Sequence, residues 1–292
     1  MTMNTDSALA PAWPWPPAQA NVCRSVSTLL KVLRGLPALE WEVSCKLSPG
    51  GILPGRLVTG ISPRGVSRRY FDQLPRTFGI PPEVASIFAA EWPRCQRIYL
   101  AFEAGLSSTV MKVYLEYPRP MPSRTVSPFL VIRGFKWKMR PEPEWYETEY
   151  WCLNGLSIAG AQNYLLKPDP LNPEQVFMYA RLADILTQTH RKAGDWRHFQ
   201  MLVARESSSP RNALGLRFYD SGLTVGKLSA DLTALANHWS LPADDIQHFI
   251  AVAGNREVGW LHAGTGTDAL PFLTLYCAAS RADAQTAMLL SG

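Results

Sequence analysis

What this chain lacks narrows it before any motif is read. Its five cysteines (Cys23, Cys45, Cys95, Cys152 and Cys277) stand singly, with no CxxC pair. That argues against a disulfide framework or a cysteine zinc site and fits small buried thiols in a reducing cytoplasm. The five histidines show no HxH or HExxH spacing, so no metal site is expected. No basic run reaches five residues and the formal charge is only +5. Such a balance suits an anionic small ligand better than a nucleic acid. No apolar run approaches the roughly 18 residues that a membrane span needs. The N-terminus lacks the charged and apolar regions of a signal peptide. A soluble, cytoplasmic monomer is therefore expected, with no nucleic-acid or membrane partner.

What is present is alternation. With 47% hydrophobic and 18% charged residues over 292 positions, the chain is globular in composition. Residues 1–19 are rich in proline (Trp13-Pro14-Trp15-Pro16-Pro17) and are read as a flexible extended segment; residues 20–292 are read as one domain. In Met111–Pro118, Lys112, Tyr114 and Glu116 point one way, and Val113, Leu115 and Tyr117 the other. The same pattern recurs in five hairpins: Trp41–Ser48 with Gly55–Ser62, Gln96–Glu103 with Val110–Tyr117, and Phe129–Met139 with Trp145–Leu153. The last two are His198–Glu206 with Ala213–Asp220 and Glu257–Gly264 with Pro271–Cys277. Helical spacing falls between most of them, at 20–35, 67–94 (broken near Gly79), 173–193 and 225–253 (broken at Pro242), and a short helix follows Ala282.

Ten antiparallel strands hide their edges by closing on themselves. The expected fold is α+β: a ten-stranded antiparallel barrel surrounded by α-helices. Ten strands enclose more room than side chains fill, so the lumen is expected to hold a ligand. In this geometry the apolar faces (Val113, Leu115; Leu216, Phe218; Leu273, Leu275) meet the helices. The polar faces look inward.

The inward set comprises Glu42, Ser44, Lys46, Arg56, Arg97, Tyr99, Glu103, Lys112, Tyr114, Glu116, Tyr146, Thr148, Tyr150, Arg217, Tyr219, Thr274 and Tyr276. Cations interleaved with phenols suit a buried diphosphate: the cations neutralise charge, and the phenols offer hydrogen bonds and π faces. A single carboxylate near one end can accept a proton from an attacking group. Asp244-Asp245 lacks the paired Asp-rich motifs of chain-elongating isoprenyl synthases and reads as a helix start.

The run Glu40-Trp41-Glu42-Val43-Ser44-Cys45-Lys46, followed by Arg56, resembles the first hairpin of aromatic prenyltransferases with the ABBA, or PT-barrel, fold. It looks closest to the branch that prenylates cyanobactin peptides, ribosomal products of natural-product biosynthesis. Lys112-Val113-Tyr114 is similar to the Lys-x-Tyr strand of dimethylallyl tryptophan synthases, Arg217-Phe218-Tyr219 stands where that group has Gln-x-Tyr, and Tyr276 matches its late tyrosine. The resemblance implies a transferase moving a dimethylallyl or geranyl group from an allylic diphosphate to an electron-rich side chain of a peptide, amino acid or indole-like acceptor. Glu42 would be the catalytic base; Arg56, Lys112, Tyr114, Tyr150, Arg217, Tyr219 and Tyr276 would bind the diphosphate and prenyl group. One strand departs from the pattern, reading Tyr146-x-Thr148-x-Tyr150 where the fungal group has Arg-x-Lys-x-Tyr. Fewer cations there imply that magnesium assists. A non-catalytic barrel that binds an isoprenoid or an anionic small ligand is the alternative. Indole, phenol, guanidine, imidazole and peptide-terminus acceptors all stay open.

Overall fold

The computed structural model describes residues 13–14, 27–29, 31–33, 38–104, 109–119, 128–139, 143–153, 156–166, 173–193, 199–206 and 212–283. Its strands are β1 Ala38–Ser48, β2 Gly51–Ile61, β3 Arg97–Ala104, β4 Thr109–Glu116 and β5 Pro128–Lys138, then β6 Trp145–Leu153, β7 Met201–Arg205, β8 Asn212–Arg217, β9 Val258–Thr265 and β10 Pro271–Ala278. Each pairs antiparallel with its neighbours in sequence, and β1 pairs with β10, so the sheet closes into the expected ten-stranded barrel.

The described helices are α1 Arg68–Phe78, α2 Pro82–Glu91, α3 Ile158–Leu165, α4 Pro173–Ala193, α5 Ser229–His238 and α6 Ala243–Ala253. Local chemistry sets their ends. The Ser67 hydroxyl accepts from the Tyr70 amide at the start of α1, and Gly79 closes it at φ 71°. Of the expected 20–35 helix, 27–29 and 31–32 are helical, and residues 20–26, 30 and 34–35 lie outside the described set.

The patterning is inside-out, as the alternation required. Val43, Cys45 and Leu47 of β1, Val113 and Leu115 of β4, Leu216 of β8, and Leu273 and Leu275 of β10 face outward. They share one buried core with Phe71, Phe88, Leu182 and Phe249 of the helices. A second, smaller apolar cluster (Val131, Tyr150, Cys152, Leu202, Ala204, Ala213, Phe272) lines the lumen.

Two expectations are corrected. The first hairpin turns at Pro49-Gly50, not across Pro49–Pro54, and β2 already begins at Gly51. Pro54 is tolerated inside it because the register shifts between Ser44 and Lys46, setting Pro54 and Gly55 opposite the single residue Cys45. Tyr146 keeps the inward parity but lies at the far end of β6, 40% exposed, so it is a rim residue.

From the proline-rich segment, Trp13 is buried. Its indole N–H donates to the Pro54 carbonyl at 2.7 Å, its ring meets Phe249 edge-on at 5.5 Å, and Arg256 lies over it at 5.6 Å.

Inside the lumen, glycines make room for rings. A Cβ on Gly134 of β5 would stand 2.6 Å from the Tyr114 ring, and one on Gly215 of β8 would stand 2.8 Å from His262 Nε2. Each ring therefore covers bare backbone on the facing strand. Gly134→Ala should lower unfolding free energy by about 1–3 kcal/mol through overpacking. In a Tyr114→Ala background the same substitution should cost much less, as a double-mutant cycle in urea titrations would show.

Candidate active site

The lumen is layered, and the end carrying the inter-hairpin connections holds a cavity of about 500 Å³. That is within the usual size of small-molecule sites. Its walls include Glu40 and Glu42 of β1, Arg97 and Tyr99 of β3, Tyr114 and Glu116 of β4, Tyr150 of β6, Arg217 of β8, Trp260 and His262 of β9, and Tyr276 of β10; Tyr219 lines it from just past β8.

Glu42 is held by one neutral donor. Tyr219, carried back toward β1 by the turn after β8, donates its phenolic O–H to Glu42 Oε1. Arg217 lies over the Tyr219 ring at 5.2 Å and donates to the Tyr219 carbonyl at 3.2 Å, which fixes that turn. Burial raises the Glu42 pKa to about 7, with Glu40 adding to the rise; the Tyr219 hydrogen bond and Arg217 oppose it and lose. Tyr219 is pushed up in turn, by burial first and then by Glu42, so it stays a neutral donor.

Next to Glu42 is a second acidic group. Tyr99 donates to Glu116 at 2.9 Å and approaches Glu40 at 3.4 Å, Gln96 donates to Glu116 at 2.9 Å, and Arg97 pairs with Glu40 at 2.7 Å. Deeper, the cavity becomes aromatic. Tyr114 and Tyr150 meet edge-on at 6.0 Å, His262 lies 6.4 Å from Tyr150 and 5.0 Å from Tyr276, and Trp260 stands 5.7 Å from His262.

Below this aromatic floor is a layer of charge. Arg56 lies 5.7 Å under the Tyr276 ring and donates to Thr274 at 3.1 Å. Glu103 pairs with Arg56 at 3.2 Å and with Lys112 at 2.6 Å. Burial pushes the Glu103 carboxyl up, but Arg56 and Lys112 outweigh it and hold the group well below the usual range. Lys136, directly opposite Lys112 on β5, bonds Glu206 at 2.6 Å and Thr148 at 2.8 Å.

The eight residues singled out from the sequence therefore separate. Glu42, Tyr114, Tyr150, Arg217, Tyr219 and Tyr276 line the cavity. Arg56 and Lys112 lie beneath it, occupied by Glu103. Sequence reasoning missed Lys136, Glu206, Trp260 and His262. Three of these were within reach: Ile132-Gly134-Lys136 and Trp260-His262-Gly264 alternate as clearly as Lys112-Tyr114-Glu116 does. Glu206, just past the end of β7, carried no such signal. Among the described residues, no three His, Cys, Asp or Glu side chains gather to hold a metal ion, and no helix is long and apolar enough to cross a membrane.

The pKa of Glu42 predicts a pH effect on stability. Folding raises it above the 4.5 of an exposed glutamate, so the folded state binds the proton more tightly. That stabilisation is complete below about pH 4.5 and is lost as pH rises through about 7. Between pH 5 and 8 the Tm of Glu42→Gln should therefore fall less steeply than that of the wild type in calorimetric scans.

No protein-family model and no curated protein matches the sequence. Solved structures do match its fold. The 6-dimethylallyltryptophan synthase from Micromonospora olivasterospora, in complex with DMASPP and Trp, aligns with a TM-score of 0.53 at 11% identity, over 89% of this chain and 94% of that one. NotF prenyltransferase aligns with a TM-score of 0.54 at 12% identity, over 83% and 81%. NotF in complex with brevianamide F and DMSPP gives 0.52 at 11%, over the same shares. The barrel with helices outside is the PT-barrel fold.

Proposed function

We propose that this chain transfers a dimethylallyl or geranyl group from an allylic diphosphate to an electron-rich acceptor, with Glu42 as the base. The observation that carries the reading is the stacking of three layers: a carboxylate at the cavity wall, aromatic faces beneath it, and cations beneath those.

Each layer matches one demand of the reaction. The C–O bond between the allylic carbon and the diphosphate breaks, and its electron pair leaves with the diphosphate. The acceptor's electrons form the new bond to the allylic carbon, and the acceptor's proton passes to the Glu42 carboxylate. Departing negative charge is stabilised by preorganised cations, here Arg56, Lys112 and Lys136. The allylic cation is shielded by the π faces of Tyr114, Tyr150, Trp260 and Tyr276. A base with a pKa of about 7 is matched to neutral pH. The Tyr219 O–H fixes which oxygen of Glu42 stays open to the acceptor.

Among the described residues no cluster of carboxylates stands ready to hold magnesium before the donor binds. Glu103 and Glu206, the carboxylates of the cation layer, are already bonded to Arg56 and Lys112 and to Lys136. No step above passes through a metal. On the acceptor side the neighbours named above bind Trp and brevianamide F, which supports a small aromatic acceptor. The Glu-x-Ser-Cys-Lys run of β1 supports a peptide side chain.

A second reading, a barrel that binds an isoprenoid without transferring it, is favoured by Glu103, which occupies two cations as an anion would. Product formation separates the two. The intact chain is offered dimethylallyl and geranyl diphosphate with tryptophan, tyrosine, arginine and peptide acceptors, and products are read by mass spectrometry. A prenylated acceptor is expected; tight donor binding with no product across the panel would favour the second reading. With a competent acceptor, Glu42→Gln should lower turnover about 10²–10⁴-fold while donor affinity holds. Wild-type turnover should rise with pH through about 7, because the base must be ionised.

A further inference from the structure

The layer beneath the aromatic floor is costly. Lys112 and Lys136 are directly opposite each other on adjacent strands, an arrangement of like charges that destabilises a sheet. Both are buried, at 5% and 8% exposure, and so is Arg56 at 7%. Buried charges persist when paired, and here the pairs are Glu103 with Arg56 and Lys112, and Glu206 with Lys136.

A third feature points to an anion from outside. Ser44 is 1% exposed and its Oγ has no hydrogen-bond partner among the described residues. It shares the inward face of β1 with Glu42 and Lys46, and its register neighbours are Arg56 on β2 and Tyr276 on β10. An orphaned hydroxyl costs free energy where it is, and it can donate to an acceptor brought to Arg56. Carboxylate oxygens accept the same charge-assisted bonds as phosphate oxygens.

We propose that Glu103 and Glu206 are displaceable counter-ions of the diphosphate site: donor phosphate oxygens take over Arg56, Lys112 and Lys136, Ser44 donates to them, and the displaced carboxylates take up protons. This rests on the prenyl-donor reading. No C–O or P–O bond breaks or forms; each displaced carboxylate gains one proton from solvent, forming an O–H bond as a hydronium O–H bond breaks. Glu103 is faced by Lys46 of β1, Arg56 of β2 and Lys112 of β4, and Glu206 by Lys136 of β5 and Thr148 of β6. With those cations in place Glu103 is ionised, its carboxyl held well below the usual range. Once they turn to a diphosphate, the carboxylate loses their attraction and gains a neighbouring anion, so its proton affinity rises.

The test titrates the full-length chain with inorganic pyrophosphate and with geranyl thio-diphosphate. Calorimetry is run from pH 6 to 8 in buffers of different ionisation enthalpy. Net proton uptake is expected, with affinity falling up to about tenfold per pH unit for each proton taken up. Glu103→Gln should bind pyrophosphate more tightly and with fewer protons. Because it leaves buried cations short of a partner, its Tm should be low and should recover with pyrophosphate more than the wild type's does. If Glu103→Gln does not fold, Glu206→Gln provides the same comparison. Ser44→Ala should weaken pyrophosphate about tenfold or more without lowering Tm.

Binding without proton uptake overturns the proposal, as does binding that needs magnesium and takes up no proton. Prenylated product from a chain whose donor binds without uptake would overturn the exchange and leave the transferase reading intact. Proton-linked binding with no product from any acceptor would support the exchange and remove the transferase reading. Failure of both ligands to bind would overturn the two together.

Discussion

Pairing between β1 and β10 is the constraint on which the rest depends. It joins residues more than two hundred positions apart, from Glu42 opposite Ala278 to Leu47 opposite Leu273. Without it the sheet has two free edges, and the inward faces of the terminal strands would lie in water. With it, Tyr276 and Thr274 come to one side of Ser44 and Lys46, and Arg56 comes to the other. The loop-closure cost of such a long-range contact rises only slowly with chain length. Burial of the outward faces against the helices supplies the driving force, since Val43, Cys45, Leu47, Leu273, Leu275 and Cys277 are all fully covered.

Closure puts the polar residues where water is scarce, and the interior answers in two ways. Near the mouth, neutral hydrogen bonds predominate: Tyr219 serves Glu42, and Tyr99 and Gln96 serve Glu116. Neutral donors stabilise a carboxylate less than cations do, which leaves Glu42 able to change protonation near pH 7. Deep in the barrel, full charges face each other, and with no other anion present Arg56 and Lys112 hold Glu103 ionised. The same residue type is tuned in opposite directions within one lumen. The difference lies in which partners the register brings to it.

Much of the fold was legible because side-chain parity is binary. With Lys112, Tyr114 and Glu116 on one face, the parity of strands one, three, four, eight and ten follows, and the structure places their outward residues in a single core. Parity says which side a residue faces and nothing of how far along the strand it sits. Parity therefore groups Arg56 and Lys112 with Tyr114 and Tyr276 as one site, whereas the structure sets them one layer deeper, with Glu103 between them. Bulges were equally hidden. The shift between Ser44 and Lys46 depends on what lies opposite Pro54, and no local pattern reports that. Glycines opposite rings were also invisible, because Gly134 and Tyr114 are twenty residues apart and become neighbours only across the β4–β5 ladder.

The turn after β8 shows how an irregular segment completes the mouth of the cavity. β8 ends at Arg217, yet Tyr219 continues the inward role from irregular backbone. Its ring packs against Gly259, the residue that the register shift in β9 leaves opposite no partner on β10. The Phe218 amide bonds the Gly259 carbonyl at 2.7 Å, and the Asp220 amide bonds Glu257 at 3.1 Å, tying the turn to the start of β9. The bulge in β9 thus makes the space in which the phenol of the preceding turn reaches Glu42. Glu42 is oriented by an irregularity that an ideal barrel would lack, and conserving strand parity alone would not preserve it.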